Sequence, residues 1–438
     1  MPKQLAWLIS AVFFFLGFFT STWDLLLTID LGGFTLKTHQ VFFFSSFLIV
    51  FFYKLRSDRD LLKPLRQPFA ICFLLLAFFY AATSPRSFFP LKSALYSCWI
   101  VFNLITIWLT ASWLSPLVEK KFFAWAVWLT VASHAAIITV DQIAFQFGYQ
   151  GGFLGFNQDI LLNWGVSRPH AFSFEPSYIA AFFAAGLPIV YASFESITGK
   201  VRLWNSLSLI LIIFALIAAT SRTGWVAAAA GLSIFLALNA YRKFPFRMAA
   251  RLVGMLVAAI ALFFLTTSSQ QRTNLDKNLV STVRTGTDGP SNARLRAHGY
   301  ALEIAKETHW IGAGLGASYK YWIYTRKTPE TALEPEFSQA SFGNEVVMST
   351  WGQLLAEGGI TALLLYAGAG FSLLAALWRR WRTTGNIFAQ ASLASALVFF
   401  FFTAFLLGNI ARGDVWVWFA IWSRMALPDS GEAKVQRA

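Results

Sequence analysis

The sequence predicts an all-α, polytopic membrane protein. About twelve transmembrane helices would form one integral membrane domain (1–438), with a long, partly helical outer loop between the ninth and tenth. Three observations carry this reading. First, 57% of the 438 residues are hydrophobic and only 13% are charged, against roughly a quarter in a soluble domain. The 46 Phe and 18 Trp could not all be hidden beneath a polar exterior. Second, apolar runs of about 18 residues or more recur from end to end, each long enough to cross the hydrocarbon core. Third, the runs are continuous rather than alternating, which disfavours a β-barrel. A soluble enzyme, a secreted disulfide scaffold, a fibrous protein and a disordered chain are excluded.

Taken in order, the spans fall at about 5–22, 39–53, 68–84, 93–113, 122–143, 176–194, 204–219, 224–240, 249–268, 358–377, 387–408 and 415–427. The first follows Met1-Pro2-Lys3 and imitates a signal peptide, but no clear A-x-A cleavage site follows it, so it counts as a span. The last is short and holds Arg424, so a tilted or partial crossing is expected. A net charge of +14 would suggest nucleic acid in a soluble protein. Here the loops account for it, and no nucleic-acid partner is expected. With the N-terminus inside, nineteen Lys and Arg lie in the inner segments. Six lie in the short outer loops: Lys37, Arg86, Lys92, Arg168, Arg222 and Arg412. The positive-inside rule then places both termini in the cytoplasm. Cys72 and Cys98 sit in apolar runs and read as buried small hydrophobes.

All the inner loops are short, whereas 144–175 and 269–345 are long outer loops. Long connections between packed helices are usually functional, so the chemistry should face outside. The first loop ends in Arg168-Pro-His170, then Phe174-Glu175-Pro176-Ser177 at the entry to the sixth span. Pro176 suits a first helical turn, which puts Glu175 at the N-cap. Glu175 either caps that helix or serves as a base or sugar ligand, with Arg168 and His170 as partners. The seventh and eighth spans are joined by Thr220-Ser221-Arg222-Thr223-Gly224. This tight turn holds Arg222 at the membrane boundary between rigid helices. Its fork of donors either reaches lipid phosphates or water, or grips a diphosphate.

The long loop predicts a helix over 293–308, started by Ser291 or Asn292 and ended by glycines. Arg294 and His298 share one face at i,i+4, with Arg296 beside them, offering cations and a titratable base or simply a solvated face. Gly312-Ala-Gly314-Leu-Gly316 reads as a tight turn, because no strand precedes it. Glu357, in Gln353-Leu-Leu-Ala-Glu357-Gly358-Gly359, is expected near the membrane face, as a helix cap or a functional carboxylate. His134 and Asp141 share a face of the fifth span, and His134 by itself reads as a satisfied core residue. No HExxH motif, paired Cys or P-loop appears, so neither a metal nor a cofactor is expected.

These patterns together resemble the bacterial O-antigen polymerases and O-antigen ligases. The resemblance covers most of the chain. It rests on twelve spans with both ends inside, the outer loop between the ninth and tenth, and four local patterns in order. These are Phe174-Glu175-Pro176-Ser177, Thr220-Ser221-Arg222-Thr223-Gly224, Arg294 about eighteen residues before Gly312-Ala-Gly314, and Gln353-Leu-Leu-Ala-Glu357-Gly-Gly. The resemblance implies a metal-independent, inverting glycosyl transfer at the periplasmic face of the inner membrane. The donor would be an undecaprenyl-pyrophosphate-linked oligosaccharide, its tail lying among membrane lipids against the aromatic helix faces. A polysaccharide chain-length regulator is a usual partner of such polymerases. Arg222 and Arg294 match the family's arginines and are expected on the diphosphate, with Arg168, Arg296 and His170 in support. Glu175 or His298 is expected as the base. Ligases of this kind carry a His-Asn or similar pair eight or nine residues before the Ala-Glu of the last pattern. Counting back from Ala356-Glu357 lands here on Met348-Ser349, and methionine takes no proton. That departure favours the polymerase over the ligase; a flippase for the same lipid-linked glycan is the reading from another class.

Overall fold

The computed structural model describes residues 3–24, 26–30, 35–57, 61–114, 120–149, 167–196, 200–241, 246–269, 272–273, 289–318, 321, 325, 349–404, 410 and 412–427. The fold is an all-α bundle. Helix α1 (Lys3–Phe19) returns as α2 (Thr38–Ser57) through a hairpin the sequence reading lacked, β1 (Thr28–Asp30) against β2 (Thr35–Lys37), with Thr28 opposite Lys37. Helix α3 (Pro68–Thr83) is followed by α4 (Pro90–Asn103), which runs through a π-helical stretch, Leu104–Leu109, into α5 (Thr110–Leu114). Then come α6 (Lys120–Gln146), α7 (Pro176–Ser196), α8 (Lys200–Ala218), α9 (Arg222–Ala240) and α10 (Phe246–Leu265). After the long loop with its own α11 (Gly289–Glu307), the bundle closes with α12 (Thr350–Thr384), α13 (Ile387–Val398) and α14 (Gly413–Ala426).

Among the described residues, eight helices are long and apolar enough to cross a membrane, and three shorter apolar helices (Gln4–Phe19, Arg202–Ala218 and Ile387–Phe402) accompany them. The expected spans and these helices agree to within about four residues at each end, except for the tenth, which runs on to Thr384 rather than 377, and the eleventh, expected to 408, whose α-helix ends at Val398 and passes into a π-helical stretch, Phe399–Thr403. α12 is two helical segments joined by a kink at Gly359: the segment after the kink starts close to the expected 358, and a preceding segment from Thr350 lies outside the expected span. The loop helix also starts earlier than expected, at Gly289, with Pro290 suited to its first turn.

Alternating direction brings the starts of α2, α4, α7, α9, α12 and α14 to one end, called here the loop end. Two helices lie at the centre. In α7, 94% of the spanning stretch is buried, and its many small residues allow close helix approach. In α14, Trp416, Trp418, Phe419 and Trp422 are all fully buried, and Phe419 stacks on Phe400 with ring centroids 5.5 Å apart. The perimeter is apolar, as a lipid-facing surface requires: α10 is only 17% buried. The cysteine expectation is corrected: Cys98 is exposed, and Cys72 is half-buried, packed against the core with its sulfur beside Gly368 of α12.

Candidate functional site at the loop end

The entries of α7 and α9 lie side by side. Ser221 caps α9, its hydroxyl accepting from the Gly224 N–H at 3.3 Å, and Arg222 is the first helical residue. Gly224 is required by close approach: a Cβ there would stand 2.4 Å from the Ala180 Cβ of α7. Arg222 precedes that contact by about 3 Å of rise and Glu175 by about 7 Å. Two parallel helix N-termini and their positive dipole ends are therefore adjacent. Arg168 joins them, its Nε donating to the Ala219 carbonyl at 3.5 Å. Glu175 occupies the expected N-cap position; its backbone carbonyl accepts from Tyr178 N–H at 3.2 Å and its carboxylate from the Ser177 hydroxyl at 2.7 Å.

His170 is buried beside this pair. A carbonyl only accepts, so Nδ1 carries the proton and donates to the Ser173 carbonyl at 2.5 Å. Burial, aided by the Arg168 charge, lowers its pKa against the opposing pull of that hydrogen bond and of Asp141 and Glu175. Arg168, His170, Glu175 and Arg222 thus lie in one neighbourhood around the heads of α7 and α9.

The sequence reading missed what supports it. Asp24, just after α1, accepts from Lys37 Nζ at 2.5 Å and from Arg412 Nη2 at 3.0 Å. Arg412 also donates through Nε to Asp414 at 3.0 Å, and its guanidinium lies 4.0 Å over the Tyr178 ring, one turn into α7. The backbone of the Glu175 loop is tied to the same carboxylate, with Phe174 N–H donating to Asp24 Oδ2 at 3.3 Å and Asp24 N–H donating to the Phe172 carbonyl at 2.9 Å. Burial alone would raise the Asp24 pKa, but Arg412 and Lys37 outweigh it and hold it at about 2. The only sequence signal was an acid and two bases flanking spans at one end; their pairing across 388 positions is not readable from spacing.

The Gly312–Gly316 turn and the Gln353–Gly359 pattern prove to be two halves of one clasp. Ala313 N–H donates to the Ala356 carbonyl and Gly314 N–H to the Glu357 carbonyl, both at 2.9 Å. The Ile360 N–H, which the break at Gly359 releases, donates to the Trp310 carbonyl at 3.1 Å. Gly359 has φ 62°, and a Cβ there would lie 1.8 Å from the Trp310 oxygen, so no other residue fits without displacement. On the other side, Ser93 of α4 donates to the Leu315 carbonyl at 2.8 Å.

Glu357 is corrected by this arrangement. It lies near the end of the helical segment capped by Ser349, two residues before the break at Gly359. It is fully buried, with Ser318 donating to Oε1 at 2.8 Å and Gln353 to Oε2 at 3.0 Å. The Gly316 and Ser318 N–H groups also donate to it. Its carboxylate is consumed in holding the turn rather than in capping a helix.

The clasp anchors α11, whose Ala301 and Ile304 pack with Ala313 and Ala356. Arg296 is exposed and His298 half-buried on this helix. The Arg294 side chain and Met348 lie outside the described residues. The structure therefore gathers Arg168, His170, Glu175 and Arg222 around α7 and α9, while Arg296 and His298 ride on a helix supported by α12. His134 is a satisfied core residue as expected: Trp23 Nε1 donates to its Nε2 at 3.0 Å, so Nδ1 holds the proton and donates to the Thr130 carbonyl at 2.8 Å.

This is a multi-span helical membrane protein with a buried charge cluster at one end and a loop helix clasped there. Residues 207–367, from α8 into α12, match the family model described as O-antigen ligase. The match supports an O-antigen ligase and polymerase-like family and suggests a glycosyltransferase-like enzyme. It takes in Arg222, α11 and both halves of the clasp, and excludes Glu175 and Arg412. Among curated proteins none matches the chain.

Proposed function

We propose that the protein polymerises polysaccharide repeat units by transferring a glycan from an undecaprenyl-diphosphate carrier at the loop end, facing the periplasm. The observation that carries the reading is Arg222 at the head of α9, side by side with the head of α7 and with Arg168 against the same turn. Two helix N-termini and two guanidinium groups suit the charge that grows on a departing diphosphate. An acceptor sugar hydroxyl attacks the anomeric carbon of the donor from the face opposite the diphosphate. The C–O bond to the diphosphate breaks, its electron pair leaves on the phosphate oxygen, and the configuration inverts. The hydroxyl proton passes to a base, Glu175 or His298, of which Glu175 stands beside the anion site. The Lys and Arg excess at the opposite end supports a periplasmic loop end.

The description of the matching family favours a second reading, in which the same site ligates a finished lipid-linked glycan to lipid A-core or another acceptor. Counting repeats on undecaprenyl-linked glycans from a deletion strain separates the two. Single repeats on the outer side support the polymerase. Long lipid-linked chains that never reach their final acceptor support the ligase. Single repeats trapped on the inner side mean a flippase and overturn the site. Arg222→Ala is expected to lower product formation about 100-fold or more at unchanged protein level; wild-type chain lengths from that variant would refute its role.

A further inference from the structure

At the end opposite the candidate site, a cavity of about 260 Å³ opens between the start of α6, the end of α7, and the starts of α8 and α13. Its lining includes Lys121, Trp125, Trp128, Ser193, Ser196 and Asn205. Asn205 is 1% exposed, yet neither its amide nitrogen nor its oxygen has a hydrogen-bond partner among the described residues. The same holds for the Trp128 indole N–H. Buried polar groups are normally satisfied, and three such atoms on one cavity wall call for an occupant. Water is a poor fit as the sole one: the space is many times one water's share of about 30 Å³, and two indoles and Phe388 form much of the wall.

We infer that this cavity binds the phosphate-bearing headgroup of an anionic membrane lipid. The donors are of the right kind: an ammonium at Lys121, an indole N–H at Trp128 and an amide NH₂ at Asn205, with Asn205 oxygen left to accept from a glycerol hydroxyl. Among the described lining residues none is acidic. The neighbouring Glu195 is engaged by Arg251 at 2.8 Å, with Arg202 at 4.0 Å, and so does not repel an anion. The mouth is built for a lipid. Trp125 is 42% exposed, and Leu203 and Trp204, next to Asn205, are 64% and 66% exposed. They offer an apolar track for acyl chains directly outside a polar pocket, and Trp and Lys favour that interfacial depth.

The test uses the full chain, stripped of lipid in neutral detergent, with phosphatidylglycerol, phosphatidylcholine or inorganic phosphate as probes. Bound lipid is read by native mass spectrometry and the apparent unfolding temperature is followed in parallel. Phosphatidylglycerol is expected to bind and to raise the unfolding temperature; phosphatidylcholine should do so less. Asn205→Leu and Trp128→Phe should each weaken phosphatidylglycerol binding about ten-fold, which is about 1.4 kcal/mol. Lipid-free Asn205→Leu should be at least as stable as wild type, since it removes an unpaired buried amide, so lost binding would not be misfolding. Unchanged lipid binding in both variants overturns the assignment. So does displacement of the lipid by inorganic phosphate at equal concentration, which would make the ligand a soluble anion.

Discussion

Asp24→Asn tests whether the buried charge cluster holds the site's entry helix. The carboxylate accepts from Lys37, Arg412 and the Phe174 N–H, at 2.5, 3.0 and 3.3 Å. Despite burial, those cations bring its pKa from 3.8 to about 2. At about 1.4 kcal/mol per tenfold change in proton affinity, this contributes about 2 kcal/mol at neutral pH. The asparagine also leaves Lys37 and Arg412 with Asp414 as the remaining acid of the cluster, and breaking a buried pair costs about 3–5 kcal/mol. A loss of about 3 kcal/mol is therefore expected near pH 7. The sign is that of a lowered carboxylate: the stabilisation is complete above the unfolded pKa and fades as pH falls from about 4 through about 2. Apparent unfolding temperatures in detergent, for wild type and variant from pH 7 to pH 2, measure this. The gap should be several degrees at pH 7 and should close toward pH 2. Equal temperatures at pH 7, or a gap that ignores pH, would refute the reasoning. Adding Arg412→Gln should then cost less than it does in the wild type, because the two side chains share one interaction.

Other outcomes follow from the same geometry. Gly359→Ala should cost about 3 kcal/mol through its positive φ and the Trp310 clash, and proteolysis of the 289–318 segment should rise before the bundle unfolds. Glu357→Ala should lower the amount of folded protein by stranding the Ser318 and Gln353 donors, while Glu357→Gln, which keeps an acceptor, should retain more of it; equal loss would contradict a holding role. Glu175→Gln should abolish glycan transfer at unchanged protein level if Glu175 is the base, and substantial transfer from that variant would move the role to His298. His170 has a lowered pKa, so its neutral form is the one the fold stabilises. Its contribution is full above about pH 6.5 and fades as pH falls toward the lowered value. His170→Gln should flatten that part of the stability–pH curve.

The helices were legible because a span is a local property. A bilayer core of about 30 Å demands about 20 apolar residues in sequence, so a run such as 68–84 declares its own length. Caps and turns are local too: Pro176 marked the start of α7 with Glu175 at its boundary, and the tight turn 220–224 placed Arg222 beside the start of α9. The glycine pair at the start of the tenth span was legible as a break, and Gly359 is indeed non-helical; the carbonyl that satisfies the freed Ile360 N–H comes from Trp310 in another segment, which spacing could not show.

The all-α membrane class, the order and approximate limits of most apolar helices, and the loop-end residues beside a helix start were therefore open to local reading. What those residues touch emerged only with the packed bundle. Glu357 read as a helix cap or a functional carboxylate until its acceptors were seen filled by Ser318, Gln353 and the backbone of the glycine turn. Lys37 and Arg412 were only separate outer-loop cations, and Asp24 carried no signal, until the fold closed the three into one cluster beside the Glu175 loop. The physical reason is range: hydrophobic length and capping act over a few consecutive residues, whereas a charge pair forms across any chain separation once packing brings its partners within about 3 Å.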